Sequence, residues 1–567
     1  MKFKLKDLFK TEYTDKLSKA SEILDSTNVN IDTLFQWKTA YENDRVLVTE
    51  SVWDDCSLDE WAIKETSTQG GGHLLRDIIK TPIYNEKILK ERQNATRILP
   101  FVDDILHEIS KYEKDVLWIL NQPELKKAWP INLLFPTFPI LRYINRIPIG
   151  ISAFHLYRGY LNPLLNIISP LATILGPWVY VKRTLKIQIS FKSYVQMILK
   201  GVSYGFKSTG NFKNDSMKYF SIFIYIFFYI YGFIQSFELS KMIRTIEANL
   251  SKKLISIKQF VATSLKLISE IPVECISPYM IDTIIDKNIK IPNGLCGVYT
   301  LMTNIQLKQQ IFSLMKNIYA IDVCNISKNL INTKKCCIPK YTNTEKTKIW
   351  NMGHILLDKN QVKNPISLEK NIVITGPNAG GKTTYVRAIC TNVILSQTLG
   401  IAVGSKANIE IIHAIGTFMR ISDEIGNLSL FEAETKRCTD LIIQASAVSS
   451  KGQNAIYFLD EPMHSTPPAE GSATSLAVVE YLGKMPGVRV LVTTHYHHLV
   501  NMINSNLFYN ISMDAYKKED GTFNFPYKIR KGPSFQCIAL ELLNEKNLPD
   551  EVISRAIEVK NILCKQV

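Results

Sequence analysis

Apolar positions along this chain change period several times, and each change predicts a different kind of element. In the stretch Ile83 to Ile109 they fall at Ile98, Val102, Ile105, Leu106 and Ile109, the spacing that puts one stripe on a long packed helix. A second stripe, Leu254, Ile257, Val261, Leu265 and Ile268, opens the segment 250–330, so core-packed helices bracket the middle of the chain. Between the stripes periodicity vanishes. Leu161–Val181 and Tyr219–Phe237 each run without a formal charge for about 20 residues, a length that can cross a bilayer. Pro163, Pro170 and Pro177 oppose a regular helix in the first, whereas the second has no proline and is the better membrane candidate. After the polar stretch Lys340–Lys348, the clearest boundary, short β-branched runs alternate with helical patterns, which predicts an α/β unit. Residues 1–44 are polar, mixed in charge and read as a tail.

Composition narrows the partners more than the fold. A chain of 567 residues exceeds one ordinary core, so several structural units are expected. With 46% hydrophobic and 21% charged residues there is no case for disorder. The net charge of +15 favours an anionic partner, and DNA and an anionic membrane surface both remain open on charge alone. Ten cysteines are scattered, with only Cys336 and Cys337 adjacent, so neither a zinc pattern nor a secreted disulfide framework is present. That usage suits a reducing intracellular compartment, nucleus or cytoplasm. The start, Met1-Lys2-Phe3-Lys4-Leu5-Lys6, lacks the apolar run of a secretory signal.

Candidate chemistry concentrates after residue 370. The β-branched run Asn371–Thr375 leads into Gly376-Pro377-Asn378-Ala379-Gly380-Gly381-Lys382-Thr383-Thr384 and then a helical pattern, which is a phosphate-binding loop in strand–loop–helix context. Glycines let backbone N–H groups approach phosphates, and the helix that follows directs its positive end at them. Lys382 is expected on the β- and γ-phosphates of ATP, and Thr383 on Mg²⁺. The buried-strand run Ala455–Leu459 ends in Asp460 and Glu461, the first expected to bind Mg²⁺ and the second to polarise the attacking water. His495 follows a third buried run, Val488–Thr493, where it would face the ligand crevice of a parallel sheet as a γ-phosphate sensor.

The string Ile374 to Arg387 closely resembles the phosphate loop of the MutS family, in which Asn378 is a distinctive choice. Further matches follow in order: Asn364-Pro365, Gln397 to Gly400, Asp423-Glu424 with Ser429 to Phe431 and Glu434, Leu459 to Glu461, and Thr494 to Tyr496. Upstream, Gly70 to Arg76, Thr81-Pro82 and Ile88 to Arg92 look like the family's core domain. Tyr527 to Ile529, Gly532 and Leu548 to Ala556 resemble its C-terminal dimerisation element.

The resemblance implies a multidomain chain: an α-helical core and lever region (45–345) carrying an apolar and basic insertion at about 131–240, an α/β P-loop ATPase domain of ABC type (346–515), and a C-terminal strand and helical dimerisation element (516–567). It also implies a homodimer with two composite ATP sites, in which Ser429 of one copy reaches the γ-phosphate held by the other, and a DNA-binding clamp switched by ATP hydrolysis in mismatch repair or recombination. The core-like segment begins near residue 45, leaving no room for the family's mismatch-reading domain, and Pro462 to Gly471 departs from its Gly- and Thr-rich loop. Neither a transporter signature nor sustained heptads appear. The alternative is a membrane-associated ATPase using the same engine for scaffolding or remodelling. The segment 182–218 between the apolar stretches is strongly basic. Those charges argue against a simple spanning hairpin and predict packed, re-entrant or interfacial stretches.

Overall fold

The computed structural model describes residues 18–20, 22–24, 29–35, 42–136, 138–139, 141–207, 212–279, 288–358, 360–419, 430–519, 522–536, 538, 540–542 and 549–566. The chain falls into two compact units, one drawn from Met1–Asn30, Lys111–Thr263 and Ile285–Phe312, the other from Ile31–Ser110, Ser264–Ile284 and Ser313–Val567.

The second unit holds the strands β1 (Leu47–Val48), β2 (Lys340–Thr342), β3 (Lys348–Met352), β4 (Asn364–Ser367), β5 (Asn371–Thr375), β6 (Lys406–Glu410), β7 (Ala414–Phe418), β8 (Ala455–Asp460), β9 (Val488–Thr493), β10 (Phe508–Met513), β11 (Tyr516–Lys517), β12 (Phe523–Asn524) and β13 (Ile529–Lys531). Seven form one sheet in the order β1-β7-β8-β9-β5-β10-β13. Its strands are parallel except for β13, which runs antiparallel to β10. Strands covered on both faces must be apolar throughout, and every residue of β5 and β7 is buried. Register sets the chemistry: Ile374 and Asp460 both pair with Thr493, so β5, β8 and β9 end together at one edge. The helix Lys382–Thr398 follows β5, with fourteen of its residues buried. A smaller sheet runs β2-β6-β3-β4.

Several expectations need correction. The stripe from Ile83 to Ile109 is two helices, Glu86–Ile98 and Asp103–Leu120, not one. Pro100 lies in the break, and Ile98 is exposed while Val102, Leu106 and Ile109 are buried. Part of the segment read as a tail is packed: Ile31 is buried, and Phe35 stacks edge-on against Tyr319 at 5.4 Å. The polar stretch Lys340–Lys348, read as the clearest boundary, instead holds β2, which pairs with β6 and buries Tyr341.

In the first unit the helix Pro148–Leu156 passes through a π-turn, Tyr157–Leu161, into the helix Asn162–Arg183. Pro170 and Pro177 are accommodated inside that helix, although Pro148–Pro170 and Ala172–Arg183 meet at 63°. The basic segment contains a helix, Phe191–Phe206, and the second apolar stretch opens the 59-residue helix Phe212–Glu270. Of the packed, re-entrant and interfacial alternatives expected for this stretch, packing within the chain fails, because none of its most apolar window is buried.

Candidate active site

The P-loop leaves β5 through Gly376, whose φ of 139° belongs to glycine and whose Cβ, were one present, would lie 2.1 Å from the Met513 carbonyl oxygen. Gly381, at φ 92°, turns the backbone into the N-terminus of the following helix. Residues Pro377 through Thr384 line a cleft of about 880 Å³ that also takes in Asp460 and Glu461. Lys382 is nearly buried, and its Nζ donates to the carbonyl oxygens of Gly376 at 3.0 Å and Pro377 at 3.3 Å. An ammonium parked on carbonyls at the loop mouth can exchange them for phosphate oxygens.

Thr383 Oγ1 donates to Asp460 Oδ2 at 2.7 Å, joining the first turn of the helix to the end of β8. Thr493, not singled out from sequence, organises both acidic residues: its hydroxyl donates to Asp460 Oδ1, and its carbonyl and hydroxyl oxygens each accept from Glu461 N–H at 3.1 Å. Glu461 and Met463 have φ of 49° and 62°, left-handed values that cost a non-glycine residue energy. The Glu461 carboxyl faces Lys382 Nζ at 3.6 Å and His495 Nδ1 at 3.7 Å. His495 is the largest influence holding that carboxyl below its ordinary range, with Lys382 adding to it while burial pulls the other way. His495 itself is half exposed and stacks at 4.6 Å on Tyr496.

Behind this row sits Glu434, on the helix Leu430–Ser449 and fully buried. His464 Nδ1 lies 2.7 Å from its Oε1, and Ser465 donates to its Oε2 at 2.5 Å. The departure at Pro462 to Gly471 therefore supplies two partners for one buried carboxylate. Ser429, Asp423 and Glu424 lie outside the described residues, as does Leu548. The helix Asp550–Gln566 is the described part of the C-terminal helical element.

The cleft has walls that the motifs did not announce. Tyr527 lines it, held by Asn364, which donates from Nδ2 to the Tyr527 carbonyl at 2.8 Å and accepts from Ile529 N–H at 3.1 Å. His354 and Gln361 form another edge, and burial drives the His354 imidazole down to about 4, so it is neutral. Asn364 carried a prior signal through the Asn364-Pro365 match, and Tyr527 one through its resemblance to the C-terminal element, though not as part of the cleft. His354, just beyond β3, and Gln361 carried no motif signal; Tyr527 is brought to the cleft by its bond to Asn364, a residue far away in the sequence.

Residues 372–564 match the family model of MutS domain V. The chain is 26% identical over 260 residues to the DNA mismatch repair protein MutS of Leuconostoc citreum, covering 44% of this chain and 29% of that protein. It is 30% identical over 240 residues to the protein of the same name from Clostridium perfringens, covering 40% and 25%. Against that of Haloquadratum walsbyi it is 30% identical over 203 residues, covering 34% and 21%. These matches thus span less than a third of each relative's length.

Proposed function

The chain is a divergent MutS-like protein, and on that premise we propose that it hydrolyses ATP in the cleft bounded by the P-loop and the ends of β8 and β9. The observation that carries the reading is the contact of Thr383 Oγ1 with Asp460 Oδ2 at 2.7 Å, set beside Lys382. A hydroxyl and a carboxylate form an oxygen-only donor set that suits Mg²⁺, which takes few protein ligands and completes its shell with water and phosphate. When bound, Mg²⁺ supplies neutralisation of the phosphate charge. Thr383 and Asp460 would hold it. Lys382 binds the β- and γ-phosphates, while backbone N–H groups from Pro377's neighbours to Thr384 orient them. Glu461, kept ionised by His495 and Lys382, accepts the proton of the attacking water. His495, whose Nδ1 lies 3.7 Å from the Glu461 carboxyl, would orient that carboxylate and sense the γ-phosphate.

The same reading makes the active form a homodimer with Ser429 of each copy completing the other's site, and makes DNA the partner whose grip ATP switches. The positive charge of the chain supports DNA. Eight described cysteines are free thiols, in keeping with a reducing compartment. The test is steady-state ATP turnover together with binding to homoduplex, mismatched, branched and single-stranded DNA, with and without ATP. ATP-dependent binding that disappears in Lys382→Ala is expected. Undiminished turnover in that variant would remove the assignment.

A further inference from the structure

The apolar stretches of the first unit pose a solvation problem that the nucleotide site does not address. Along the helix Phe212–Glu270, the seven consecutive residues Tyr225 to Tyr231 are all exposed, with Tyr225 at 73% and Phe228 at 63%. Seven successive positions cover the whole circumference of an α-helix, roughly two turns. A helix that docks on a second copy or a protein groove exposes an apolar stripe instead, with polar residues opposite. An apolar surface on every side fits hydrocarbon as the surrounding medium.

The two apolar helices are also joined as a membrane requires. Pro170 lacks the N–H that would bond the Asn166 carbonyl one turn earlier, and that oxygen accepts from Tyr229 OH at 2.9 Å and Ser169 Oγ at 3.2 Å. Pro163 likewise frees the Gly159 carbonyl, which accepts from Ser240 Oγ at 2.5 Å. Asn162 Nδ2 donates to Ser236 Oγ at 3.2 Å. Water would satisfy such carbonyls at a surface. In hydrocarbon they must be satisfied within the protein, by hydroxyls of a neighbouring helix. Tyr219–Phe237 extends about 28 Å at 1.5 Å per residue, close to a hydrocarbon core of about 30 Å. At the far end Trp178 donates to the Ile189 carbonyl at 3.3 Å, and Lys182 Nζ lies 5.0 Å from the Trp178 ring centre, an aromatic and cationic pairing suited to headgroups. Lys182, Arg183, Lys186 and Lys192 follow close by in sequence.

Against the expectation drawn from charge alone, we propose that Asn162–Phe237 is a membrane hairpin: its first arm, bent by 63° near Pro170 and joined to the second helix through Gly159, Asn162 and Asn166, inserts with Tyr219–Phe237 into a lipid bilayer, and the basic residues after Trp178 bind anionic headgroups. This stands independently of the ATPase assignment.

The test uses the full chain, purified in detergent and reconstituted with phosphatidylcholine vesicles with or without phosphatidylserine. The protein should float with the vesicles, resist alkaline carbonate, and crosslink through Tyr219–Phe237 to a photoactivatable acyl chain. Phe223→Asp combined with Phe227→Asp should lower partitioning by about a hundredfold or more, because each carboxylate would enter hydrocarbon. Ile255→Asp, at an exposed position on the same helix beyond the stretch, should float like the parent. Lys182→Glu with Arg183→Glu should erase the preference for phosphatidylserine. A detergent-free chain that stays monodisperse and does not float would overturn the hairpin. So would oligomers that Phe223→Asp disperses without any lipid crosslink, which would give the surface to a second copy. The crosslink on the unaltered chain decides the matter even if the aspartate variant misfolds.

Discussion

Strand β5 and the helix Phe212–Glu270 draw on a similar apolar vocabulary and solve opposite problems. In β5, Ile372, Val373 and Ile374 are entirely buried, each flanked by parallel strands that consume its backbone hydrogen bonds. In the helix, Phe223 is 65% exposed, and its backbone needs no neighbour because the helix satisfies itself. Apolar content therefore tells that a segment avoids water without telling what replaces the water. Backbone bonding and the exposure of a full turn separate the cases: one segment is a protein core, the other awaits a solvent of its own.

The contrast can be broken most sharply at the nucleotide cleft, where polar residues lie among buried strands. Lys382→Ala should abolish ATP turnover, and Glu461→Gln should lower it about 10²- to 10⁴-fold while still retaining ATP, read by single-turnover assay and nucleotide retention. Mixing Ser429→Ala with Lys382→Ala subunits should restore activity at one site per heterodimer; no recovery in verified heterodimers would end the shared-site reading. Ile374→Ala should cost about 2–5 kcal/mol of stability in urea unfolding, as a cavity in a buried strand does. Phe223→Ala in detergent should change unfolding by only about 0.5 kcal/mol or less, since little surrounds that ring within the chain.

Two further effects depend on pH. The neutral His354, held at about 4 by burial against an ordinary 6.5, binds fewer protons folded than unfolded across that window. Stability is then complete above the ordinary value and falls as pH drops towards 4, by about 2 kcal/mol at pH 5. His354→Gln should flatten that fall in urea titrations at pH 7.5 and 5. At the site itself, Glu461 must be ionised to act, and His495 keeps it so at lower pH. His495→Ala should move the acid limb of turnover to higher pH, and an unmoved limb would detach His495 from Glu461.

The cleft was legible where function demands a fixed local string. The stretch Gly376 to Thr384, and Asp460 with Glu461, stand at the ends of β5 and β8, on either side of β9, because buried β-branched runs deliver them there. The strand β13 and Tyr527 were visible only as a weak resemblance, since what places them is antiparallel pairing with β10 across a long separation. Periodicity misled at Leu99 to Val102, because a break at Pro100 can preserve the spacing of a stripe while redirecting the helix. The packing of Phe35 could not be read locally either: its partner, Tyr319, lies far along the chain.

Glu434 carries a consequence for time scales. The loop through His464 and Ser465 cannot lift away without stripping that buried carboxyl of its Ser465 bond and of His464 beside it, a penalty of about 1–3 kcal/mol for a buried polar group left unpaired. Its opening should then be rare, with slow amide exchange and resistance to proteolytic nicking, despite the exposure of His464 and the left-handed backbone at Met463. A segment that looks on the surface like a hinge would keep time with the slow breathing of the sheet beneath it.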